Sequence, residues 1–142
     1  MLSELIVATV MVLVTVLIHG IGLILLSQML RIEAQEESVE GIHPLSVRAI
    51  GFTMAIVLGL FVLHGTEIWL YALVYTGVGA VPDTRAAVYL STLSYGTLGY
   101  SEEAISPEWH LVSAIEGLNG IILLGWSTAF FVTVVGRMGR RR

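Results

Sequence analysis

Three ionisable residues, His19, His64 and Glu67, lie inside long apolar stretches of the sequence. Ionisable side chains are costly in a bilayer, so each is a functional candidate by default. Glu67 follows His64 by three residues, which places both on one face of a helix. If the first two apolar stretches form antiparallel helices, His19 lies at the depth of His64. The three side chains could then form a pH-sensitive switch, a metal site or a hydrogen-bonded tie between helices.

The composition indicates that these residues belong to a membrane protein. The chain has 142 residues, of which 56% are hydrophobic and 13% charged, and its mean hydropathy is +0.86. A soluble domain of this size cannot bury so much apolar surface, so a bilayer is the expected solvent. The chain has no cysteine, which excludes disulfide bonds and thiolate metal sites.

Three segments, 5–30, 50–78 and 111–136, are long enough to span a bilayer as helices. At about 1.5 Å per residue, each reaches roughly 39–44 Å, more than a hydrocarbon core of about 30 Å. Between the last two lies a shorter apolar stretch, Thr84 to Tyr95, preceded by Asp83 as a candidate N-cap. It is too short to span and predicts a re-entrant helix.

The chain after this short helix must return to the side from which it entered. Non-helical backbone at membrane depth is tolerated only where protein covers it or where it lines a water-filled cavity. The sequence "GTLGYSEE", which begins at Gly96, is therefore predicted to line a pore.

The distribution of arginine predicts the topology. All seven basic residues are arginines, and four of them, Arg137, Arg140, Arg141 and Arg142, lie in the last six positions. This bias places the C-terminus in the cytoplasm. With three spans, the N-terminus and the segment 79–110 are then outside. The four C-terminal arginines could also contact anionic lipid, at about 1 kcal/mol each.

The string Thr97-Leu98-Gly99-Tyr100-Ser101, placed after a short capped helix and between two spans, resembles the pore of the potassium channel superfamily. The resemblance implies an all-α membrane protein with three transmembrane helices, a re-entrant pore helix and a selectivity-filter loop. It further implies a homotetramer with one central pore, because one loop cannot surround an ion, and K⁺ sites formed by Thr97, Leu98, Gly99 and Tyr100.

The same resemblance divides the single membrane domain, 1–142, into five parts. These are an added peripheral helix (5–30), an outer helix (50–78), a pore helix with filter (82–103), an inner helix (111–136) and a cytoplasmic basic tail (137–142). The expected location is a bacterial or archaeal inner membrane. No cofactor beyond the permeant cations, no nucleic-acid partner and no enzymatic activity are expected.

The resemblance also gives expectations for four residues in or near the filter. Ser101 and Glu102 differ from the family, and Glu102, Glu116 and Asn119 are candidates to support the filter or line the cavity. Ser101 replaces a glycine, and a serine at positive φ would cost about 1 kcal/mol per chain. The chain could accept that strain or turn the outermost carbonyl ring out of the glycine conformation; we favour the second, and with it a weakened preference for K⁺. Glu102 stands where the family has aspartate. Glu116 could brace the filter from behind or extend to the interface. Asn119 could line the cavity or bond to a neighbouring helix.

Three alternatives remain open. The chain could form a non-selective Na⁺/K⁺ channel or a non-conducting regulatory subunit. It could also be an intramembrane metal-dependent enzyme that uses His19, His64 and Glu67. The enzyme is disfavoured because no serine or cysteine lies near those residues in the sequence, and because it leaves the string 97–101 unexplained.

Overall fold

The computed structural model describes residues 1–37 and 47–140. Within these ranges the chain is all-helical, without strands, as predicted. The elements are α1 (Leu2–Glu37), α2 (Val47–Gly77), α3 (Thr84–Tyr95), the short 3₁₀ turns Glu102–Ala104 and Pro107–Trp109, and α4 (His110–Arg140).

The three predicted spans are confirmed as helices long and apolar enough to cross a membrane. The spanning parts are Leu2–Met29, Ile50–Gly77 and Pro107–Gly136, of 28, 28 and 30 residues. Helix α1 is longer than its predicted span and continues to Glu37. Its last turns, "RIEAQEE", consist mostly of good helix formers, so the helix continues beyond the apolar stretch.

Helix α1 contributes a single buried stripe. Its buried residues are Ala8, Met11, Thr15, His19 and Leu23, which recur every three or four positions and therefore occupy one face. This face packs on both α2 and α4. The other faces of α1 carry exposed apolar side chains, as expected of a helix at the edge of a bundle in lipid.

Helix α3 begins where the sequence predicts. The Asp83 side chain accepts a hydrogen bond from the Ala86 backbone N–H at 2.8 Å, which caps the first turn. At the other end, the Leu98 N–H donates to Leu93 O and the Thr97 N–H donates to Ser94 O, both at 2.9 Å. These two bonds form a Schellman motif.

The residue at the left-handed position of that motif is Thr97, with φ of 56°. Glycine is usual there because a side chain disfavours positive φ, most of all a β-branched one. The chain therefore reverses direction at a threonine, directly after the short helix.

The segment from α3 to α4 enters the bundle and comes back. Helix α3 follows the end of α2 closely in the chain, and its last residue, Tyr95, contacts His64 and Glu67 in the middle of α2. The chain then returns to the end of α2, where the Ser106 N–H donates to Ala80 O at 2.9 Å. Residues 84–106 thus start and finish at the same end of the bundle.

Two glycines let α4 approach the C-terminal end of α3. A Cβ atom at Gly117 would lie 3.1 Å from the Ser94 carbonyl oxygen, and a Cβ atom at Gly120 would overlap the Tyr95 carbonyl group. Small residues of this kind permit close packing of membrane helices. A Cβ atom at Gly125, on the same helix, would meet nothing within 4 Å.

We therefore expect Gly120→Ala to destabilise the protein by about 1–3 kcal/mol, because the added methyl group overlaps backbone and cannot be accommodated by a side-chain rotation. Gly125→Ala is the matched control and should leave stability unchanged or raise it, since alanine is the better helix former. Thermal unfolding in detergent measures both. Equal midpoints for the two variants would contradict the close contact between α3 and α4.

Candidate functional site

Five side chains from all four helices form one largely buried group, called here the polar cluster. Its members are His19 from α1, His64 and Glu67 from α2, Tyr95 from α3 and Ser127 from α4. His19 and Glu67 are fully buried, Tyr95 and Ser127 are 2% and 5% exposed, and the side chain of His64 is 13% exposed. The cluster therefore joins the end of the short helix to every other helix of the bundle.

Glu67 is the centre of the polar cluster. Its Oε1 lies 2.9 Å from His19 Nδ1, and its Oε2 accepts a hydrogen bond from the Tyr95 hydroxyl group. His64 Nδ1 lies 2.7 Å from the Tyr95 hydroxyl oxygen and 3.4 Å from Glu67 Oε2. Both carboxylate oxygens thus have partners on helices other than their own, which a buried carboxylate requires.

Ser127 contacts the Nε2 atoms of both imidazoles, whereas the Nδ1 atoms contact Glu67 and Tyr95. Its Oγ lies 2.9 Å from His64 Nε2 and 3.2 Å from His19 Nε2. The two imidazole centroids are 5.2 Å apart, and Trp126 packs on His19 at 5.4 Å. The two histidines therefore meet, as the antiparallel arrangement of α1 and α2 predicts.

The ligand atoms of His19, His64 and Glu67 lie within 4.8 Å of one another, close enough for these residues to gather around a metal ion. Each of these atoms already has a hydrogen-bonding partner within the cluster. In this structure the three residues form a hydrogen-bonded network, and a metal ion at the same place would have to displace those partners.

Ser127, His19 and Glu67 are also ordered like the members of an acyl-transfer triad. Serine Oγ contacts Nε2 of the imidazole, and Nδ1 contacts the carboxylate. Sequence reasoning missed this serine because it lies far along the chain. Ser127 is buried. Two open cavities among the described residues do not include it: one is lined by residues 79–82, 102–107 and His110, and the other by Val62, Gly65, Thr66, Trp69, Leu70 and Leu73.

Glu116 lies in a second polar group nearer the α3 N-terminus. It is fully buried, so the expectation that it extends to the interface is wrong. Its Oε2 accepts from the Tyr75 hydroxyl at 2.6 Å and its Oε1 from Ser91 Oγ at 2.5 Å. The Ser91 hydroxyl also lies 3.0 Å from Ile68 O. Glu116 therefore braces the short helix itself, and its contacts are not with residues 97–101.

Asn119 bonds to neighbouring helices, the second of the two roles expected for it. Its Nδ2 donates to Thr15 Oγ1 at 2.8 Å and lies 3.4 Å from the Tyr71 hydroxyl. The side chain is 3% exposed. The side chain of Asn119 faces α1 and α2 of the same chain. This geometry does not support the expected cavity-lining role.

The loop after α3 is exposed on one side. Leu98 is 73% exposed, Thr97 and Gly99 are also exposed, and Tyr100 is half-buried against the apolar core. Positive φ occurs at Thr97 and at Gly99, where it is 80°. Two of the three consecutive residues 97–99 thus have left-handed backbone, and the carbonyl groups along the loop do not follow a regular helix or strand.

Ser101 does not have the positive φ of the glycine that it replaces, which agrees with the favoured expectation for this residue. Ser101 has φ of −71° and ψ of 136°, an extended conformation that any residue adopts. Its Oγ accepts from the Glu103 N–H at 3.4 Å and caps the 3₁₀ turn that follows. A serine suits this position because a side-chain oxygen satisfies a free N–H at the start of a helical turn.

The remaining predicted residues lie at the two ends of the molecule. Glu102 is exposed, and its backbone carbonyl lies 3.0 Å from His110 Nε2. Arg137 and Arg140 lie in the last turns of α4, and Arg141 and Arg142 lie outside the described residues. The predicted contact of these arginines with anionic lipid stays a prediction.

Several contributors to the site were not singled out from the sequence: Tyr95, Ser127, Ser91, Tyr75 and Thr15. A signal was present in α3, where Ser91, Ser94 and Tyr95 recur at helical spacing among apolar residues and mark a polar face. Ser127 gives no such signal. Its role depends on the relative register of α1, α2 and α4.

The fold and the site define a membrane protein with three candidate spans and a short fourth helix, whose polar groups converge between the helices. Comparisons of the chain with protein-family models, with curated proteins and with solved structures found no match. Function must therefore be inferred from the residues and their geometry.

We expect Ser91→Ala to lower the free energy of unfolding by about 1–3 kcal/mol, because it removes one of two donors to a buried carboxyl group. Thr92→Ala on the same helix is the control. Thr92 is exposed and its hydroxyl donates only to Val88 O within α3, at 2.7 Å, so the expected change is below about 0.5 kcal/mol. Thermal unfolding measures both variants. Equal melting temperatures would contradict the assignment of Ser91 as a donor to Glu116.

Proposed function

We propose that the chain is the subunit of a tetrameric cation channel that conducts K⁺ in preference to Na⁺ through a central pore. The observation that carries the proposal is the path of residues 84–106. A short capped helix enters from the end of α2, stops beside Glu67 and His64, and is followed by a non-helical loop that returns to Ala80.

The depth of this path supports a re-entrant segment. Glu67 lies thirteen residues before Ala80, which is about 20 Å along a helix. Half of a hydrocarbon core is about 15 Å. If the Ala80 end of the bundle lies at the membrane surface, the loop that follows Tyr95 begins near the midplane.

A loop at that depth must be covered. Peptide groups outside a helix are tolerated in a bilayer only if protein buries them or if they line water. In one chain, Thr97, Leu98 and Gly99 are exposed. Four copies around a common axis would bring four such loops together, and the axis would hold water and ions.

Backbone carbonyl groups supply the proposed chemistry. Rings of carbonyl oxygens from Thr97, Leu98, Gly99 and Tyr100 would replace the hydration shell of K⁺, and repulsion between successive ions would speed their exit. Helix α3 would direct its C-terminal end, which carries partial negative charge, toward the pore axis. Both features favour a cation over an anion.

The charge of the outer segment adds to this preference. Residues 79–110 contain four acidic residues and one arginine: Asp83, Glu102, Glu103, Glu108 and Arg85. Those five residues are exposed. A negative mouth would raise the local concentration of cations. The N-terminus would then be outside and the arginine-rich C-terminus cytoplasmic.

The selectivity proposal keeps the expectation that the position of Ser101 contributes less to K⁺ preference than the rings before it. With an unstrained Ser101, the K⁺ preference depends on the rings from Thr97 to Tyr100. A non-selective Na⁺/K⁺ channel is the alternative within the same architecture, and flux measurements with each ion separate the two.

Gly99→Ala tests the proposed filter. Gly99 and Gly79 have φ of 80° and 68°, and an added Cβ atom meets nothing within 4 Å at either position. Alanine is therefore strained at both, by about 1–2 kcal/mol, but only Gly99 lies in the loop. In vesicles that contain purified protein, we expect Gly99→Ala to reduce K⁺ flux at least tenfold and Gly79→Ala to retain it.

The outcomes of this experiment distinguish the candidate functions. Equal K⁺ and Na⁺ fluxes through the wild type would indicate a non-selective channel. A wild type that forms tetramers and conducts neither ion would favour the non-conducting regulatory subunit. Equal loss of K⁺ flux in both glycine variants would show that backbone strain reduces the flux wherever it occurs, and not only in the loop. That result would contradict the filter assignment.

The oligomeric state gives a separate prediction. Because one loop cannot enclose an ion, native mass spectrometry of the protein in mild detergent should detect four chains. Chemical crosslinking in the membrane should give bands up to the tetramer and none beyond it. A monomer or dimer that still conducted cations would contradict the proposed pore.

An intramembrane hydrolase is the second candidate, favoured by the order Ser127–His19–Glu67. It would use Ser127 Oγ as the nucleophile and His19 as the base. The burial of Ser127 weighs against it, because a substrate must reach the nucleophile. Covalent labelling of Ser127 by a fluorophosphonate probe, lost in Ser127→Ala, would favour the hydrolase over the channel.

A further inference from the structure

The polar cluster has more hydrogen bonds than its members have protons when both histidines are neutral and Glu67 is ionised. Five hydrogen bonds join its members: Tyr95 to Glu67, His64 to Tyr95, His19 to Glu67, and Ser127 to each imidazole. The longer contact of 3.4 Å between His64 Nδ1 and Glu67 Oε2 is not counted among them. Each hydrogen bond needs one proton between its two heavy atoms. The network therefore needs five protons.

The members hold only four protons when the histidines are neutral and the glutamate is ionised. One proton each comes from the Tyr95 hydroxyl, the Ser127 hydroxyl, His19 and His64, and the carboxylate has none. This count does not depend on which nitrogen of an imidazole carries its proton, or on which partner donates in a given contact. One contact therefore lacks its proton in that state.

We infer that the polar cluster is a binding site for one proton, which completes the network and makes it electrically neutral. With the proton, the cluster is either an imidazolium paired with a carboxylate or a neutral imidazole paired with a carboxyl group. Without it, the cluster carries a net charge of −1 between apolar helices, where an uncompensated charge is very unfavourable.

Ser127 permits one other arrangement. It could accept from both imidazoles and direct its own proton elsewhere, which requires two additional protons on the imidazoles and Glu67. That state has a net charge of +1 in a buried site. The state with one additional proton satisfies all five contacts without net charge, so it is the one the surroundings favour.

Among the described residues, the groups that face the cluster do not compensate for the net charge of −1 that it carries without the additional proton. Helix α1 contributes His19, and α2 contributes His64, Glu67 and, one turn on, Tyr71. Helix α3 contributes Tyr95. Helix α4 contributes Ser127 and Trp126, and its nearest acid, Glu116, is held separately by Tyr75 and Ser91. A divalent metal ion in place of the proton would leave a charge of +1 unless Tyr95 also ionised.

The position of Tyr95 gives this proton a role that rests on the proposed function. Tyr95 is the last residue of α3 and directly precedes the loop 96–101. Its hydroxyl group makes two of the five contacts. Loss of the proton would weaken the network that fixes the start of the loop, so conduction would depend on pH.

The variant Glu67→Gln should keep the hydrogen bonds of the polar cluster without binding the additional proton. A glutamine amide can donate to His19 and accept from Tyr95. His19 then donates to Ser127, Ser127 donates to His64, and His64 donates to Tyr95. All five contacts are satisfied with neutral groups, so the variant keeps the network and has no reason to bind a further proton.

The test is the apparent melting temperature of full-length protein in detergent between about pH 7.5 and 9. There the unfolded chain has neutral histidines and ionised glutamates, and the native wild type holds one proton more. Wild-type folding should weaken as pH rises, by up to tenfold in the folding equilibrium constant per pH unit. The buried Glu116 is common to both proteins, so the test is the difference between them: Glu67→Gln should show a slope smaller by that amount, and equal slopes for both proteins would overturn the inference.

A spectroscopic measurement on the wild type decides the question even if Glu67→Gln fails to fold. At pH 8, ¹⁵N spectra of labelled histidine should show one imidazolium, or infrared spectra should show one protonated buried carboxyl group. Two neutral imidazoles together with an ionised Glu67 would overturn the inference. Added Zn²⁺ that replaced these signals and raised the melting temperature would instead identify a metal site.

Flux measurements then test the link to the pore. Between pH 7.5 and 9, K⁺ flux through the wild type should fall at least threefold more than flux through Glu67→Gln. Absence of any flux at every pH would refute the proposed channel and leave the proton site to the melting and spectroscopic results. Equal pH profiles of flux in both proteins would refute the link between the proton and conduction.

Discussion

The satisfaction of two buried carboxyl groups, Glu67 and Glu116, is the constraint on which the rest of the structure depends. Neither group can find water inside an apolar bundle, so each needs donors from other helices. Glu67 takes them from α1 and α3, and Glu116 takes them from α2 and α3. Lipid-facing apolar surface cannot order the helices, since lipid tails are as apolar as the side chains. The polar contacts therefore fix which helix faces meet.

The sequence was sufficient for features that depend on local signals. Length and hydropathy located the three spans, and Asp83 with a dozen following residues predicted the bounds of α3. The meeting of His19 with His64 also followed, because adjacent antiparallel helices bring their midpoints together. The partners of Glu116 and the position of Ser127 did not follow. They depend on rotation and register between helices distant in the chain, which no local pattern encodes.

Ser101 shows how the type of one residue predicts a local departure from the backbone of a family. A side chain disfavours the positive φ that glycine allows, and Ser101 has φ of −71°. In this chain the left-handed conformation occurs at Thr97 and Gly99 instead. The Schellman motif that ends α3 determines the first of these, because it requires a left-handed residue two positions after Tyr95. Ser101 is then free to cap the next turn.

The division of Glu67's partners among the helices has a consequence for biogenesis. Helix α1 precedes α2 in the chain and so reaches the membrane earlier. It carries a histidine, which can insert in its neutral form at moderate cost, whereas α2 carries the carboxyl group. If the helices insert in chain order, the imidazole of His19 would already lie at the matching depth when α2 enters and could contact Glu67. One of the two carboxyl groups in the spans would then arrive after its first partner, which would shorten its exposure to lipid.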